Sequence, residues 1–404
     1  MLKNLDDVDL QDKKVLFRVA YDVPLEKKGK KFIVDDNTRL KATLPTLRCL
    51  LKKNCSIVIL TWLGRPGGQK QSKFSLEPVA RELSKLIKKP VQLAPDCVGK
   101  KTSAMVKKLQ PGEILFLENV RFNKSEDKKD FTVAKKLVHD CELIVFDAFA
   151  QAHRVVPSVT GILAEKPGVA GYLMQTEVEK LNEVITSPKK PFVVIMGGAK
   201  IDDKLNYVKL FLEKANKVIL GGGLANAFVK AQGCDVGAST VNSHGKSIVG
   251  KIDVIAEAKK LIKKYPRKII LPVDFIAANE LGAHAKTKIY DCQKNQLAKG
   301  WMLLDIGPKT IVKFSREIKQ ANSIFWNGPL GVFEINKFVV GSKKIAQAIA
   351  KNRHAQTVIG GGDTESAVSR FRLGKKYSHV STGGGASLEF VALGSLPVLK
   401  YLKK

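Results

Sequence analysis

The 404-residue chain contains no apolar run of about 18 residues, the length a membrane-crossing helix needs. Its opening stretch, Met1-Leu-Lys-Asn-Leu-Asp-Asp7, is too charged for a secretory signal, and Leu402-Lys-Lys404 is not a Ser-Lys-Leu peroxisomal address. We therefore expect an unexported, soluble protein of the cytoplasm. The six cysteines, Cys49, Cys55, Cys97, Cys141, Cys234 and Cys292, include no pair at two-residue spacing. That excludes the usual zinc knuckle, argues against a disulfide framework and leads us to expect reduced thiols. The six histidines show no metal-ligand spacing either. Two common nucleotide signatures are also missing: the Walker pattern ending in Gly-Lys-Ser/Thr, and Gly-x-Gly-x-x-Gly with its acidic partner.

Acidic residues are scarce. There are 38 against 69 basic ones, for a formal charge of +31. Aromatic residues make up only 7% and do not alternate with the basic groups, and the lysines are spread from Lys27 to Lys404 instead of forming one stripe. This favours a solvated surface and a field for small anions over a nucleic-acid or membrane partner, although the charge leaves a nucleic-acid partner open.

What the chain does have is a series of glycine turns after β-branched apolar runs. They read Val193-Val-Ile-Met-Gly-Gly-Ala-Lys200, Val218-Ile-Leu-Gly-Gly-Gly223, Ile324-Phe-Trp-Asn-Gly-Pro329, Val358-Ile-Gly-Gly-Gly-Asp363 and Val380-Ser-Thr-Gly-Gly-Gly385. Short Val/Ile runs bounded by glycine mark buried parallel strands. Glycine then lets backbone N–H groups approach a ligand, with the next helix pointing its positive end at the same place. Five such turns describe a surface for several phosphates.

In the first half, strands expected at Val15–Val19, Ile57–Thr61, Ile114–Leu117 and Leu143–Phe146 alternate with helices at Leu44–Lys53, Glu77–Lys88 and Ala104–Leu109. The alternation predicts an α/β fold with doubly wound parallel sheets and ligands at the carboxyl ends of strands. Length makes two domains the prior. The Pro/Gly-punctuated stretch Lys166-Pro-Gly-Val-Ala-Gly171, the amphipathic segment Leu173–Ile185 and Ser187-Pro-Lys-Lys-Pro191 form the expected connector.

The halves differ in chemistry. In the first, Arg39 lies in Asp36-Asn37-Thr-Arg39, and Arg65, Arg121 and Arg154 each follow a predicted strand. A doubly wound sheet gathers such residues at one edge, where guanidinium forks suit phosphate and carboxylate. In the second, Lys200 and Lys204 stand four apart at a helix start, facing one phosphate. Asp363 follows three glycines, placed either to hold Mg²⁺ beside nucleotide phosphates or to cap the helix. Glu334 either accepts from ribose hydroxyls or is a solvated loop acid.

The ordered motifs resemble phosphoglycerate kinase over essentially the whole length. They are Leu63-Gly-Arg-Pro66, Glu118-Asn-Val-Arg-Phe122, Asp147-Ala-Phe149, Ala152-His-Arg154, Gly197-Gly-Ala-Lys200, Leu304-Asp-Ile-Gly-Pro308, Trp326-Asn-Gly-Pro329, Gly331-Val-Phe-Glu334, Gly360-Gly-Gly-Asp-Thr364 and Ser381-Thr-Gly-Gly-Gly-Ala-Ser387. The resemblance implies two Rossmann-like domains joined by a hinge helix. We expect residues 1–170 to take 3-phosphoglycerate, 171–188 to link, 189–388 to take ADP or ATP, and the tail 389–404 to pack back on the first domain.

It further implies reversible phosphoryl transfer between 1,3-bisphosphoglycerate and ADP, in line after domain closure, with Mg²⁺ as cofactor and a monomer as the working form. Asp22, Asn37, Arg39, Arg65, Arg121 and Arg154 would bind the acid. Arg39, Lys200, Gly361 and Gly384 would serve the transferring group. Gly198, Ala199, Lys200, Lys204, Gly222, Gly223, Leu304, Asn327, Pro329, Glu334, Gly362, Asp363 and Thr364 would hold the nucleotide, with Gly383–Gly385 along the phosphate path and Asp363 on the metal.

The chain departs from the family at several pocket positions. In Arg18-Val-Ala-Tyr-Asp-Val-Pro24, Ala20 replaces an aspartate and Asp22 an asparagine. Trp62 stands in place of a histidine, Leu303 of a glycine and Phe146 of an asparagine. Losing a buried polar partner costs about 1–3 kcal/mol, so a poorer acid pocket is expected. A changed or weakened acid substrate and a non-catalytic basic binding protein are the alternatives.

Overall fold

The structure is a computed structural model describing residues 2–29, 31–199, 201–241, 253–292 and 296–404. It divides into two compact units, Met1–Glu179 with Ser395–Lys404, and Lys180–Gly394, the division falling within the helix Tyr172–Ile185.

The first unit is built on a parallel sheet whose spatial order is Gln92–Leu93, Ile114–Phe116, Ser56–Leu60, Lys14–Val19, Leu143–Asp147, Gly168–Ala170. Every residue of Ser56–Leu60 and Leu143–Asp147 is buried, as expected of strands covered by helices on both faces. The helices Leu44–Lys52 and Glu77–Ile87 turn Leu44, Leu47, Leu50, Val79 and Leu83 onto this sheet. Each has a proline in its first turn, where no N–H is missed. The chain's last residues return here: Lys3 N donates to Leu402 O at 2.7 Å, and Lys404 pairs with Asp7 at 2.7 Å.

The second unit repeats the plan. Its parallel sheet runs Ile269–Ile270, Lys217–Leu220, Phe192–Met196, Ser323–Asn327, Gln356–Gly360, His379–Val380. An added antiparallel sheet places Asp274–Ala278 between Thr287–Asp291 and Met302–Ile306.

In both sheets the winding direction reverses at the centre, opening a crevice at the carboxyl edge. In the first it lies around Lys14–Val19 and Leu143–Asp147, in the second around Phe192–Met196 and Ser323–Asn327.

One expectation fails. Cys234 and Cys292 form a disulfide, with Cα atoms 5.1 Å apart and a sequence separation of 58. Spacing rules see only neighbouring cysteines, whereas here the turn after helix Gly222–Ala231 meets the end of strand Thr287–Asp291. Cys49, Cys55, Cys97 and Cys141 are free thiols, the last three buried.

Candidate active site

At the edge of the first sheet, Leu63–Pro66 follows Ser56–Leu60 and is held by the Glu118-Asn119 pair. Asn119 Nδ2 donates to Leu63 O at 2.7 Å and to Phe74 O at 2.9 Å, while its Oδ1 accepts from Arg121 N at 3.1 Å. Glu118 accepts from Ser75 Oγ at 2.7 Å and from Leu76 N and Asn119 N at 2.8 Å each. Two buried side chains thus fix the loop that carries Arg65 and the turn that carries Arg121.

Asp22 joins these loops to Arg39. Its Oδ1 accepts from Gly64 N at 2.9 Å, its carbonyl accepts from Arg39 Nη1 at 2.9 Å, and Gly64 O accepts from Arg121 Nη1 at 2.6 Å. The carboxylate that sequence reading places against an anionic substrate is therefore engaged by a backbone donor. Asn37 turns its amide to Glu82 Oε1 at 2.8 Å. A cavity of about 300 Å³ opens beside this network, lined by Trp62, Arg121, His153 and Arg154 among others. Arg65 and Arg154 are exposed, Arg39 and Arg121 half-buried. Burial lowers the Arg121 pKa, with nearby Asp22 and Asp127 acting against it. His153 is pushed down to about 4 by burial and by Arg154, so the ring is neutral at physiological pH.

The second unit holds a cleft of about 530 Å³ at its crevice. Of the expected nucleotide residues, Gly198, Ala199, Gly222, Gly223, Leu304, Pro329, Glu334 and Asp363 line it. Three helices begin at this edge, Gly222–Ala231, Gly362–Arg370 and Gly385–Leu393, each after a glycine and none with a side-chain cap. In the first, Gly222 N already donates to Leu330 O and Leu224 N to Gly198 O, at 3.1 Å each, so the N–H groups open to an anion are those of Gly362 and Gly385 at the starts of the other two. Gly328 has φ +93°, and a Cβ there would collide with the backbone of Gly197, so these strand ends approach only as glycines.

Asp363 is the second residue of its helix, whose cap position is Gly361; the capping alternative does not hold. Asn327 and Thr364 are braces instead of lining. Asn327 Nδ2 donates to Gly360 O at 3.0 Å, and Thr364 Oγ1 accepts from Gly328 N at 2.6 Å. Lys204 Nζ donates to Gly197 O at 2.7 Å. Lys200 lies outside the described residues. The cleft's far end is apolar, with Phe275, Leu281, Met302, Leu303 and Val332. Leu303 does sit in this slot.

A model of the family described as phosphoglycerate kinase matches residues 5–393. The chain belongs to the phosphoglycerate kinase family. It is 42% identical to the phosphoglycerate kinase of Pseudothermotoga lettingae over 398 residues, covering 98% of each chain. It is 40% identical to the chloroplastic phosphoglycerate kinase of Volvox carteri, covering 98% of this chain and 84% of that one. Among solved structures, the phosphoglycerate kinase of Pyrococcus horikoshii matches with TM-score 0.86 and 32% identity over 99% of this chain and 98% of that one. That of Coxiella burnetii matches with TM-score 0.82 and 35% identity over 100% and 99%. The activity is accordingly that of a glycolytic phosphotransferase with a carboxyl group as acceptor and ATP/ADP as substrate, and a non-catalytic role is not favoured.

Sequence reading assigned no role to Asp305, Arg18, Glu126 and Ser158, all buried beside these two sites. Asp305 was visible in the Leu-Asp-x-Gly-Pro motif of phosphoglycerate kinases. It accepts from Ile306 N at 2.9 Å and Gly341 N at 2.7 Å, and burial raises its pKa to about 7. Arg18 opens the motif Arg18-Val-Ala-Tyr-Asp-Val-Pro24, whereas Glu126 and Ser158 lie far from it in sequence and carry no local signal.

Proposed function

We propose that the first unit binds 3-phosphoglycerate through Arg39, Arg65, Arg121 and Arg154, and that the second binds Mg-ADP or Mg-ATP in the glycine-lined cleft. The observation that carries this reading is the pairing of two uncapped helix starts with open N–H groups, Gly362 and Gly385, with the free carboxylate of Asp363. Asp363 makes no hydrogen bond or ion pair among the described residues, and no cluster of three acidic, histidine or cysteine residues offers a closed cage there. One hard oxygen ligand beside phosphate oxygens suits Mg²⁺, which binds through few carboxylates and keeps its other positions for phosphate and water. The ion would supply charge neutralisation at the phosphates.

The chain's own groups do the rest. The N–H groups at Gly362 and Gly385 hold the phosphate oxygens, Gly222 and Gly223 line the cleft, Gly361 and Gly384 admit the phosphates, and the apolar slot with Leu304 takes the base while Glu334 faces the ribose. Lys204 and, by family resemblance, Lys200 stabilise charge on the transferring phosphoryl, with Arg39 acting from the acid side. Transfer is direct from one bound substrate to the other, so it rests on position and electrostatics, with no protein nucleophile. Calorimetry tests the nucleotide half: Mg-ADP should bind the wild type, and Asp363→Ala should weaken binding at least tenfold with magnesium and little without it. Equal affinity in both proteins with magnesium present would remove Asp363 from the metal.

A further inference from the structure

Trp62 sits between the two halves of a buried cationic network. The Arg18 guanidinium lies 4.8 Å from the centre of the Trp62 ring, and that of Arg121 lies 4.2 Å from it. Arg18 is fully enclosed, and its hydrogen bonds go to Ser158 O at 2.6 Å, Ser158 Oγ at 3.4 Å and Val19 O. No carboxylate forms an ion pair with it among the described residues. Glu126, the nearby acid, spends its oxygens on Ser158 N at 3.0 Å and Ser158 Oγ at 2.6 Å. Arg121 is only loosely paired as well: Asp127 is 3.9 Å from its Nε, and that Nε has no hydrogen-bond partner. A fully buried and a half-buried guanidinium group thus share one indole, whose electron-rich face attracts cations best among the aromatic side chains.

Trp62, 4% exposed, also lines the cavity with Arg121 and Arg154. We infer that Trp62 is a positioning residue for the acid substrate: its ring fixes the Arg121 guanidinium and leaves that group's outer edge to the substrate anion. The inference rests on the reading of Arg121 as an acid ligand. A carboxylate in the place of Trp62 would hold Arg121 too, but would compete with the substrate for its donors. An aromatic ring orients the cation and uses none of its N–H groups. Histidine at this position would replace the ring by a smaller one, and in its protonated form would add a third positive charge between two others. In this chain, then, the residue that departs from the family pattern does not impoverish the pocket. It compensates for an environment in which Arg18 and Arg121 lack strong acidic partners.

The test is a substitution series read by steady-state kinetics. The Michaelis constant for 3-phosphoglycerate should rise in the order Trp62, Trp62→Tyr, Trp62→Phe, Trp62→Leu, reaching about tenfold in the last, and Trp62→His should also raise it. The Michaelis constant for Mg-ATP should stay within about twofold. A merely structural role predicts something else, a loss that moves the constants of both substrates together with the thermal midpoint. If Trp62→Leu does not fold, the comparison of Trp62→Tyr and Trp62→Phe with wild type decides. Unchanged acid constants across the series, or a lowered one in Trp62→His, overturn the inference. Normal values throughout the Trp62 series combined with no effect of Arg121→Ala would instead remove Arg121 from the acid site.

Discussion

Asp147 ends its strand with the carboxyl group fully enclosed, one oxygen accepting from Met174 N at 2.9 Å and the other without a partner. It thereby fixes the start of the helix Tyr172–Ile185, and Gly171 is needed because a side chain there would collide with the carboxyl group. Burial raises the Asp147 pKa to about 7. The folded chain therefore binds a proton that the unfolded chain has already released, from about pH 4 upward. The sign follows: stability falls as pH rises from the ordinary aspartate range to about 7. Asp147→Asn, which mimics the protonated acid, should raise the thermal midpoint more at pH 8 than at pH 5, by up to about 3 kcal/mol of stability. Asp305 shifts in the same sense and keeps part of the slope. A gain equal at both pH values would show that Asp147 is not protonated in the fold. At this scale the places of Arg65, Arg121 and Arg154 were legible, because each follows a buried apolar run that reads as a strand. The role of Arg18 was not legible: its hydrogen-bond partner Ser158 is 140 residues away, and within a buried strand its position looks like core.

The elements that were legible are those with a clean period. The four early strands lie within a residue or two of their expected bounds, as do the helices Leu44–Lys52 and Glu77–Ile87. The helix Lys100–Lys108 starts earlier than expected because its first turn is lysine-rich and shows no apolar face. The hairpin Leu25–Lys28 with Lys31–Val34 and the edge strand Thr287–Asp291 of the antiparallel sheet escaped notice for a related reason: exposed strands do not read as buried runs. The disulfide joins two elements that both lead to the glycine-lined cleft. The helix Gly222–Ala231 presents Gly222 and Gly223 to it, and the sheet containing Thr287–Asp291 presents Phe275 and Leu303. Closing a loop of this length removes about 4 kcal/mol of unfolded-state entropy. Reduction with dithiothreitol should lower the thermal midpoint by roughly 5–15 °C, and Cys234→Ser should match the reduced wild type. Identical midpoints with and without reductant would show that the link does not constrain the fold.

For the molecule as a whole, the sequence announced two α/β sheets with different chemistry at their carboxyl edges, and the structure supplies the cleft in one and the arginine network in the other. No helix among the described residues is long and apolar enough to cross a membrane. The +31 charge suits two anionic substrates, since a positive field raises the local concentration of small anions. The claim that most needs testing is the division of labour: acid on the arginine edge, nucleotide on the glycine edge. Steady-state assays with 3-phosphoglycerate and Mg-ATP on wild type, Arg121→Ala and Asp363→Ala test it most directly. Loss of a hydrogen bond to a charged group is worth about 1.5–3 kcal/mol, or roughly 10- to 150-fold. Arg121→Ala should raise the Michaelis constant for 3-phosphoglycerate by that factor and leave that for Mg-ATP within about twofold, while Asp363→Ala should do the reverse. A wild type without turnover, or variants that raise both constants equally, would contradict the account.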